Sequence, residues 1–147
     1  KVEYKDLIGI DFKALAKICP AQEILEGQSY SLDLLRNLKD KILAKNELGR
    51  KYTKLYYKHA SELTGLIIAH EEIREDATEF ILDIMPDITS IVEGEEVILR
   101  SEVIEEVEDL IDTLESYGSP GLRKTLNMMR EDIINKRTLD KFGVISQ

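Results

Sequence analysis

Apolar residues recur at spacings of three and four positions along most of the chain, and this period constrains the fold more than any other feature. The clearest stripe lies in residues 102–116 and consists of Val103, Val107, Leu110, Ile111 and Leu114. Such spacing places apolar side chains on one face of an α-helix, whereas a strand alternates apolar and polar residues. Because nearly every segment shows the helical period, the sequence predicts an all-α fold.

Polar residues, prolines and glycines mark where the predicted helices begin and end. A first helix covers residues 3–18, Ser31 caps a second, and a third follows a break at residues 46–49. Ser61 is predicted to cap a fourth helix. Pro86 is expected to stop that helix, because proline lacks the amide hydrogen that the helix interior requires.

Ser119 followed by Pro120 is typical of a helix start, with a capping hydroxyl and then a proline at the first helical position. The remaining predicted segments are a polar connector over residues 20–30, helices over 102–116 and 120–136, and a final turn after Thr138. Residues 95–99 are the one place where the sequence is compatible with a short strand. About six or seven helices with short connections favour a compact, mostly antiparallel bundle. We therefore expect one helical domain over residues 1–147.

Length and composition narrow the class of protein further. The 147 residues, 43% of them hydrophobic, suffice for one domain with a single core. Cys19 is the one cysteine, so no intrachain disulfide forms and an inert, buried thiol is predicted. No apolar run approaches the roughly 20 residues that span a bilayer, so membrane insertion is not expected. The sequence begins at Lys1 without methionine, which fits a piece of a longer protein or a processed form. The sequence does not determine the compartment: the cytoplasm is the default, and removal of a signal peptide is the alternative.

Charge is unevenly distributed along the chain. The formal net charge of -9 argues against nucleic acid as a partner. Residues 36–58, the basic stretch, contain eight basic and two acidic side chains, and residues 93–115, the acidic stretch, contain ten acidic and one basic. These opposite fields are expected to meet either within the chain or between molecules. They predict a protein partner or a homo-oligomer.

Residue patterns that would indicate catalysis are missing from the sequence. Cys19 is distant in sequence from His59 and His70, and no nucleophile-elbow, phosphate-loop or zinc-protease motif occurs. A di-iron helical bundle needs a glutamate three residues before a histidine. Neither histidine has one. The sequence thus predicts no enzyme, no metal site and no cofactor.

The residues best suited to bind a partner lie in or just after the basic stretch. They are Arg36, Arg50, Lys54, Tyr57, His59 and His70. His70 falls on the apolar stripe of its helix, which favours a boundary histidine over a ligand-binding one. Tyr56 and Tyr57 point to different sides of a helix, so one is expected in the core and the other in solvent.

A short series of motifs in the same region resembles a known family. The series consists of Leu35-Arg36-x-Leu38-Lys39-Asp40, Leu43, Gly49-Arg50 and Tyr56-Tyr57-Lys58-His59. In this order and spacing, over about residues 34–70, it resembles the CFI-box-CTERM domain, a bacterial module. The Cys-Phe-Ile segment that names the family is absent here. The resemblance implies an uncharacterised helical module to which no reaction is assigned.

Arg50 directly follows Gly49 at the predicted break between two helices. A guanidinium placed there is expected to bind the free carbonyl groups at the end of the preceding helix or to pair with Asp40. We therefore interpret the main role of Arg50 as structural.

Three functions are compatible with these observations. The first, which we expect, is a non-catalytic helical module for protein–protein interaction or self-association. The second is an enzyme with a site between helices around Arg50, Tyr57, His59 and His70, which would require a deep polar cleft where they converge. The third is a structural module without a ligand.

Overall fold

The computed structural model describes residues 20–25, 29–134 and 136–146. Its helices are α1 (Pro20–Ile24), α2 (Ser29–Asn37), α3 (Glu47–Ala69), α4 (Glu71–Val92), α5 (Ser101–Tyr117), α6 (Pro120–Ile134) and α7 (Lys136–Asp140). A π-helical turn (Leu38–Ile42) and a 3-10 turn (Leu43–Lys45) join α2 to α3, and two short strands are β1 (Val97–Leu99) and β2 (Val144–Ser146). The predicted compact all-α bundle is confirmed. The predicted helix over residues 3–18 and Cys19 lie outside the described residues.

Two hydrophobic clusters hold the helices together. The first joins α3, α4, α5 and α6, and its buried members are Leu66, Ile67, Ile73, Ile111, Leu114, Leu122 and Leu126. The second joins α2 to the C-terminal half of α4 through Leu34, Met85 and Ile88. The apolar stripes predicted for these segments are therefore the faces that the helices bury. No helix within the described residues is both long and apolar enough to cross a membrane.

Ser61 does not begin a helix, which corrects the predicted boundary. The helix α3 runs without interruption from Glu47 to Ala69 and ends before His70, whose backbone is extended (φ −126°, ψ 107°). Leu66 and Ile67 continue the buried stripe past Ser61. Packing on one face therefore outweighs the weak local preference of serine for a capping position.

Pro86 does not stop α4, which continues to Val92. A proline inside a helix costs about 3 kcal/mol through its missing hydrogen bond and ring clash. Pro86 itself is exposed, while Met85 and Ile88 on either side are buried in the second cluster. Burial of these side chains offsets the local cost.

Two further predictions near helix starts have different outcomes. Ser119 caps α6 as expected, because its hydroxyl accepts the amide hydrogen of Leu122 at 3.2 Å. The Glu62 carboxylate in turn accepts from the Ser119 hydroxyl and amide, which ties this cap to α3. The connector predicted over residues 20–30 is instead helical at both ends, with Pro20 at the first position of α1.

Residues 95–99, the one place where the sequence was compatible with a short strand, contain β1, which pairs with a partner that the local pattern did not indicate. β1 and β2 are parallel, with Val97 opposite Val144 and Ile98 opposite Ile145. The amide of Val97 donates to the carbonyl of Gly143 at 3.0 Å. Gly143 has a φ of 76°, which favours glycine and lets the chain turn from α7 into β2. The C-terminal segment is thus fixed beside β1.

Candidate basic groove at the start of the third helix

The side chains predicted to bind a partner do not converge on one site. Arg50, Tyr57 and His59 lie on α3, and His70 follows its last residue. With a rise of about 1.5 Å per residue, the ends of this set are about 30 Å apart along the helix axis. Arg36 lies on α2 and forms an exposed ion pair with Asp33 at 3.0 Å.

His59 is buried at the interface between α3 and α6, with 7% of its surface exposed. Its Nε2 lies 2.8 Å from the hydroxyl oxygen of Thr125. Burial lowers the pKa of His59, the nearby Lys58 lowers it further, and Glu62 opposes the shift. The side chain is therefore a neutral, hydrogen-bonded part of the core.

The burial of His59 predicts a pH-dependent stability. Because its pKa is lower in the folded state than in the unfolded chain, its contribution to stability is present above about pH 6.5 and is lost as the pH falls through the folded pKa. We expect the melting temperature of the wild type to fall more steeply between pH 7 and pH 5 than that of His59→Asn. Thr125→Val should lower stability at both pH values, and Thr113→Val, which replaces an exposed hydroxyl, is the matched control. Equal pH slopes for wild type and His59→Asn would contradict this assignment.

His70 and Tyr57 have different environments. The ring of His70 stacks on Tyr117 with 3.9 Å between ring centroids. Tyr57 is 58% exposed, and its hydroxyl oxygen accepts a hydrogen bond from Lys39 at 3.2 Å, an interaction that raises the pKa of Lys39. Tyr56 is half-buried, and its hydroxyl accepts from the amide of Ala21 at 3.3 Å. The prediction of one exposed tyrosine is confirmed by Tyr57, whereas Tyr56, predicted in the core, is only half-buried.

Two of the predicted binding residues do share a groove, which we call the basic groove. It has a volume of about 650 Å³ and is lined by Glu47, Leu48, Arg50, Lys51, Lys54, Leu55 and Lys141. The two leucines are half-buried and supply its apolar part, which we call the floor. The four cationic side chains are exposed, form what we call the rim, and outnumber the one carboxylate. Among the described residues, no ion pair involves Lys51, Lys54 or Lys141.

The junction before α3 explains why these side chains face one way. Asn46 has an extended backbone, and its side-chain oxygen accepts the amide hydrogen of Gly49 at 2.6 Å, which caps the helix. Arg50 donates to the carbonyl oxygen of Ala44 at 2.9 Å, so its guanidinium binds the carbonyl end of the preceding turn as predicted. The following cations then project from successive helical turns on the solvent side.

Lys141 reaches the groove because the C-terminal segment packs on α3. The phenol of Tyr52 donates a hydrogen bond to Asp132, and the ring of Tyr52 lies 6.5 Å from that of Phe142. Burial and then the contact with Asp132 raise the pKa of Tyr52, so the phenol keeps its proton. The basic groove therefore combines residues that are about 90 positions apart in sequence, and the sequence pattern missed Lys51 and Lys141. Lys51 continues the basic stretch at helical spacing, so the sequence pattern could have indicated it as a groove residue. No local pattern indicated Lys141.

The acidic stretch is neutralised in part by residues outside the basic stretch. Arg130 on α6 binds Asp112 at 2.5 Å and Glu115 at 3.1 Å. Arg100, the one cation within the acidic stretch, binds Asp87 outside that stretch at 3.3 Å. In the part of the chain that the structure describes, no ion pair joins the basic stretch to the acidic stretch. Within that part, the two stretches do not neutralise each other through ion pairs.

Glu106 faces other carboxylates where α4 packs on α5. One of its carboxyl oxygens is buried without a hydrogen-bond partner. Burial raises the pKa of Glu106, Asp83 and Glu79 raise it further, and Arg100 opposes the shift. A hydrogen bond between Glu106 and Asp83 requires a proton on one of the two carboxyls. Ionised Glu106 is thus a source of instability at neutral pH.

Replacing Glu106 with glutamine is expected to stabilise the protein at pH 7. Because the folded-state pKa of Glu106 is raised, its favourable contribution is fully present below about pH 4 and is lost as the pH rises through that pKa. Glu106→Gln removes the charge that burial, Asp83 and Glu79 disfavour, so the variant should melt at a higher temperature than the wild type at pH 7. The gain should vanish near pH 4. Glu105→Gln, at an exposed position one residue earlier, is the control, and an equal gain there would contradict the role of Glu106.

No family model, curated protein or solved structure matches this chain. The resemblance of residues 34–70 to the CFI-box-CTERM domain therefore stays a prediction. Among the described residues, no group of three or more histidine, cysteine, aspartate or glutamate side chains is arranged to hold a metal ion. The geometry of the basic groove is the observation from which a function can be argued.

Proposed function

We propose that this chain is a non-catalytic protein-interaction module and that the basic groove binds an acidic segment of a protein partner. The observation that carries the proposal is the convergence of four cationic side chains around an apolar floor. Clustered cations at the rim attract carboxylates and orient the incoming chain. The apolar floor supplies contact area that gives affinity, because exposed charge pairs contribute only about 0–1 kcal/mol each.

The apolar floor favours a protein over nucleic acid as the ligand. A phosphate backbone has no apolar group to place against Leu48 and Leu55, whereas an acidic peptide with one apolar side chain satisfies both the floor and the rim. The net charge of -9 would also repel a long polyanion at a distance. A short acidic segment of a protein avoids most of this repulsion because it carries few charges.

The partners of the predicted catalytic candidates support a non-catalytic reading over the alternative of an enzyme. His59 is hydrogen-bonded to Thr125, His70 is stacked on Tyr117, and Arg50 donates to a backbone carbonyl. General acid–base catalysis needs groups that reach a common substrate atom. These side chains instead have separate structural partners along a single long helix.

Binding of a labelled peptide of glutamate and isoleucine residues, followed by fluorescence anisotropy, tests the proposal. We expect Lys51→Glu/Lys54→Glu to weaken binding roughly tenfold or more, because two rim contacts become repulsive. Lys41→Glu/Lys45→Glu makes the same change in net charge at exposed positions outside the groove, and it should retain most of the affinity. Equal losses for the two variants would indicate non-specific attraction. Tighter binding of a single-stranded oligonucleotide than of the peptide would indicate a nucleic-acid groove instead.

A further inference from the structure

We propose that the partner of the basic groove is a second copy of this chain, bound through a reciprocal contact. In this contact an acidic knob on each copy enters the basic groove of the other copy. The inference rests on the proposed function, because it names the partner of the same groove. The observation that carries it is a second surface on the described part of the molecule. On this surface, acidic and apolar side chains lie together in an arrangement that complements the basic groove.

The acidic knob consists of Ile98, Ile145, Glu95 and Glu96. The two isoleucines are opposite each other in the register of β1 and β2, so they lie on the same face of the two-stranded sheet. They are 55% and 42% exposed, among the most exposed large apolar side chains of the described residues. Both glutamates are exposed and directly precede β1. The knob is therefore an apolar centre with an acidic border.

The knob and the groove are complementary. The groove has an apolar floor inside a rim of four cationic side chains, and the knob has an apolar pair beside two carboxylates. Contact between them would cover two exposed isoleucines and bring opposite charges together at the edge. The apolar contact supplies affinity, and the charges select the orientation. The helix α5 fits less well, because its stripe of Val103, Ile111 and Leu114 is buried in its own core.

The two surfaces are close enough to each other for a two-fold symmetric contact. Lys141 lines the groove and Ile145 belongs to the knob, and four residues of extended chain span at most about 13 Å. The turn between them is held to β1 by the hydrogen bond from the Val97 amide to the Gly143 carbonyl. A two-fold axis between the surfaces lets each copy offer its knob and its groove at the same time. Such a contact closes as a dimer instead of extending into a fibre.

Charge-swapped variants test this dimer by sedimentation equilibrium. The groove variant is Lys51→Glu/Lys54→Glu, and the knob variant is Glu95→Lys/Glu96→Lys. We expect wild type to dimerise at low salt, with a dissociation constant that rises roughly tenfold or more at high salt. Each variant alone should be monomeric, because like charges then meet at both contacts. An equal mixture of the two variants should regain the dimer mass, since both contacts are again between opposite charges.

Several outcomes separate this inference from the proposed function. All substituted positions are exposed, so circular dichroism and melting curves should show intact folding in each variant. Ile98→Ser removes apolar area from the knob without a change of charge and should also weaken the dimer. A monomeric wild type, or a mixture that stays monomeric, overturns the dimer. If the monomer still binds the acidic peptide through the groove, the proposed function stands; if it binds neither peptide nor its own copy, both proposals fail.

Discussion

Replacing Gly49 with alanine is expected to destabilise the protein by roughly 2 kcal/mol or more, although alanine is the better helix former. A Cβ atom at position 49 would overlap the carbonyl oxygen of Leu43 and would lie 2.6 Å from its Cα and 2.7 Å from its carbonyl carbon. These are backbone atoms, so no side-chain rotation relieves the overlap. The 3-10 turn must move away from α3, and this movement also strains the hydrogen bond from the Gly49 amide to Asn46.

Gly121→Ala is the matched control for this substitution. Gly121 is also in the first turn of a helix, but the nearest atom to its Cβ would be the Ser119 hydroxyl oxygen at 3.9 Å. With open space at that position, alanine should stabilise by up to about 1 kcal/mol. The melting temperatures of the two variants, measured by circular dichroism, should therefore shift in opposite directions relative to the wild type. A shift of the same sign and size in both would mean that helix propensity alone governs Gly49.

Gly49→Ala should also weaken binding of the acidic peptide. The junction that the substitution displaces positions the first turn of α3, from which Leu48 and Arg50 line the basic groove. Asn46→Ala removes only the helix cap and is expected to lower stability by about 1 kcal/mol. Peptide affinity measured well below both melting temperatures separates a distorted groove from a less stable fold.

The helical period predicted which faces pack, but local boundary signals failed where packing opposed them. The stripe from Val103 to Leu114 is buried as expected, because the spacing of apolar residues reports directly on the face that leaves water. Ser61 and Pro86 are local signals worth at most a few kcal/mol. Burial of several apolar side chains in one continuous helix has a larger effect.

The candidate site was predicted only where its residues are neighbours on one helix. Arg50 and Lys54 are one turn apart on α3, so the sequence places them on the same surface. Lys141 joins them through tertiary contacts of Tyr52 with Asp132 and Phe142, which no local pattern encodes. The parallel pairing of β1 with β2 was unpredictable for the same reason, since three helices separate the strands in the sequence.

The sequence shows the uneven distribution of charge, but it does not show which oppositely charged side chains neutralise it in the folded chain. Counting charges along the acidic stretch gave one basic residue, Arg100. In the folded chain Arg130 from the next helix forms bonds with both Asp112 and Glu115. The part of the acidic stretch before α5, where Glu95 and Glu96 are exposed, has no such pairing among the described residues. For this reason the acidic knob, and not the acidic helix, is the surface that we expect to attract a basic groove.

Leu66→Ala is expected to be the most damaging single truncation and to lower stability by about 2–5 kcal/mol. Leu66 has no exposed surface and lies in the cluster where α3, α4, α5 and α6 meet. Its loss removes apolar contacts within this cluster and leaves a cavity that rigid helices cannot collapse to fill. Because a domain of this size is stable by only about 5–15 kcal/mol, the melting temperature should fall by roughly 5–15 °C.

Leu82→Ala removes the same atoms from α4 at a position that is 44% exposed, and it should change stability by less than about 1 kcal/mol. Tyrosine fluorescence is a second probe of unfolding, since the chain has six tyrosines and no tryptophan. The first cluster connects most of the helices, so fluorescence and circular dichroism should shift together in Leu66→Ala. Transitions that separate in this variant would show that the second cluster, around Leu34, Met85 and Ile88, unfolds independently. If Leu66→Ala lowered the stability no more than Leu82→Ala does, the packing of the four helices would not depend on Leu66.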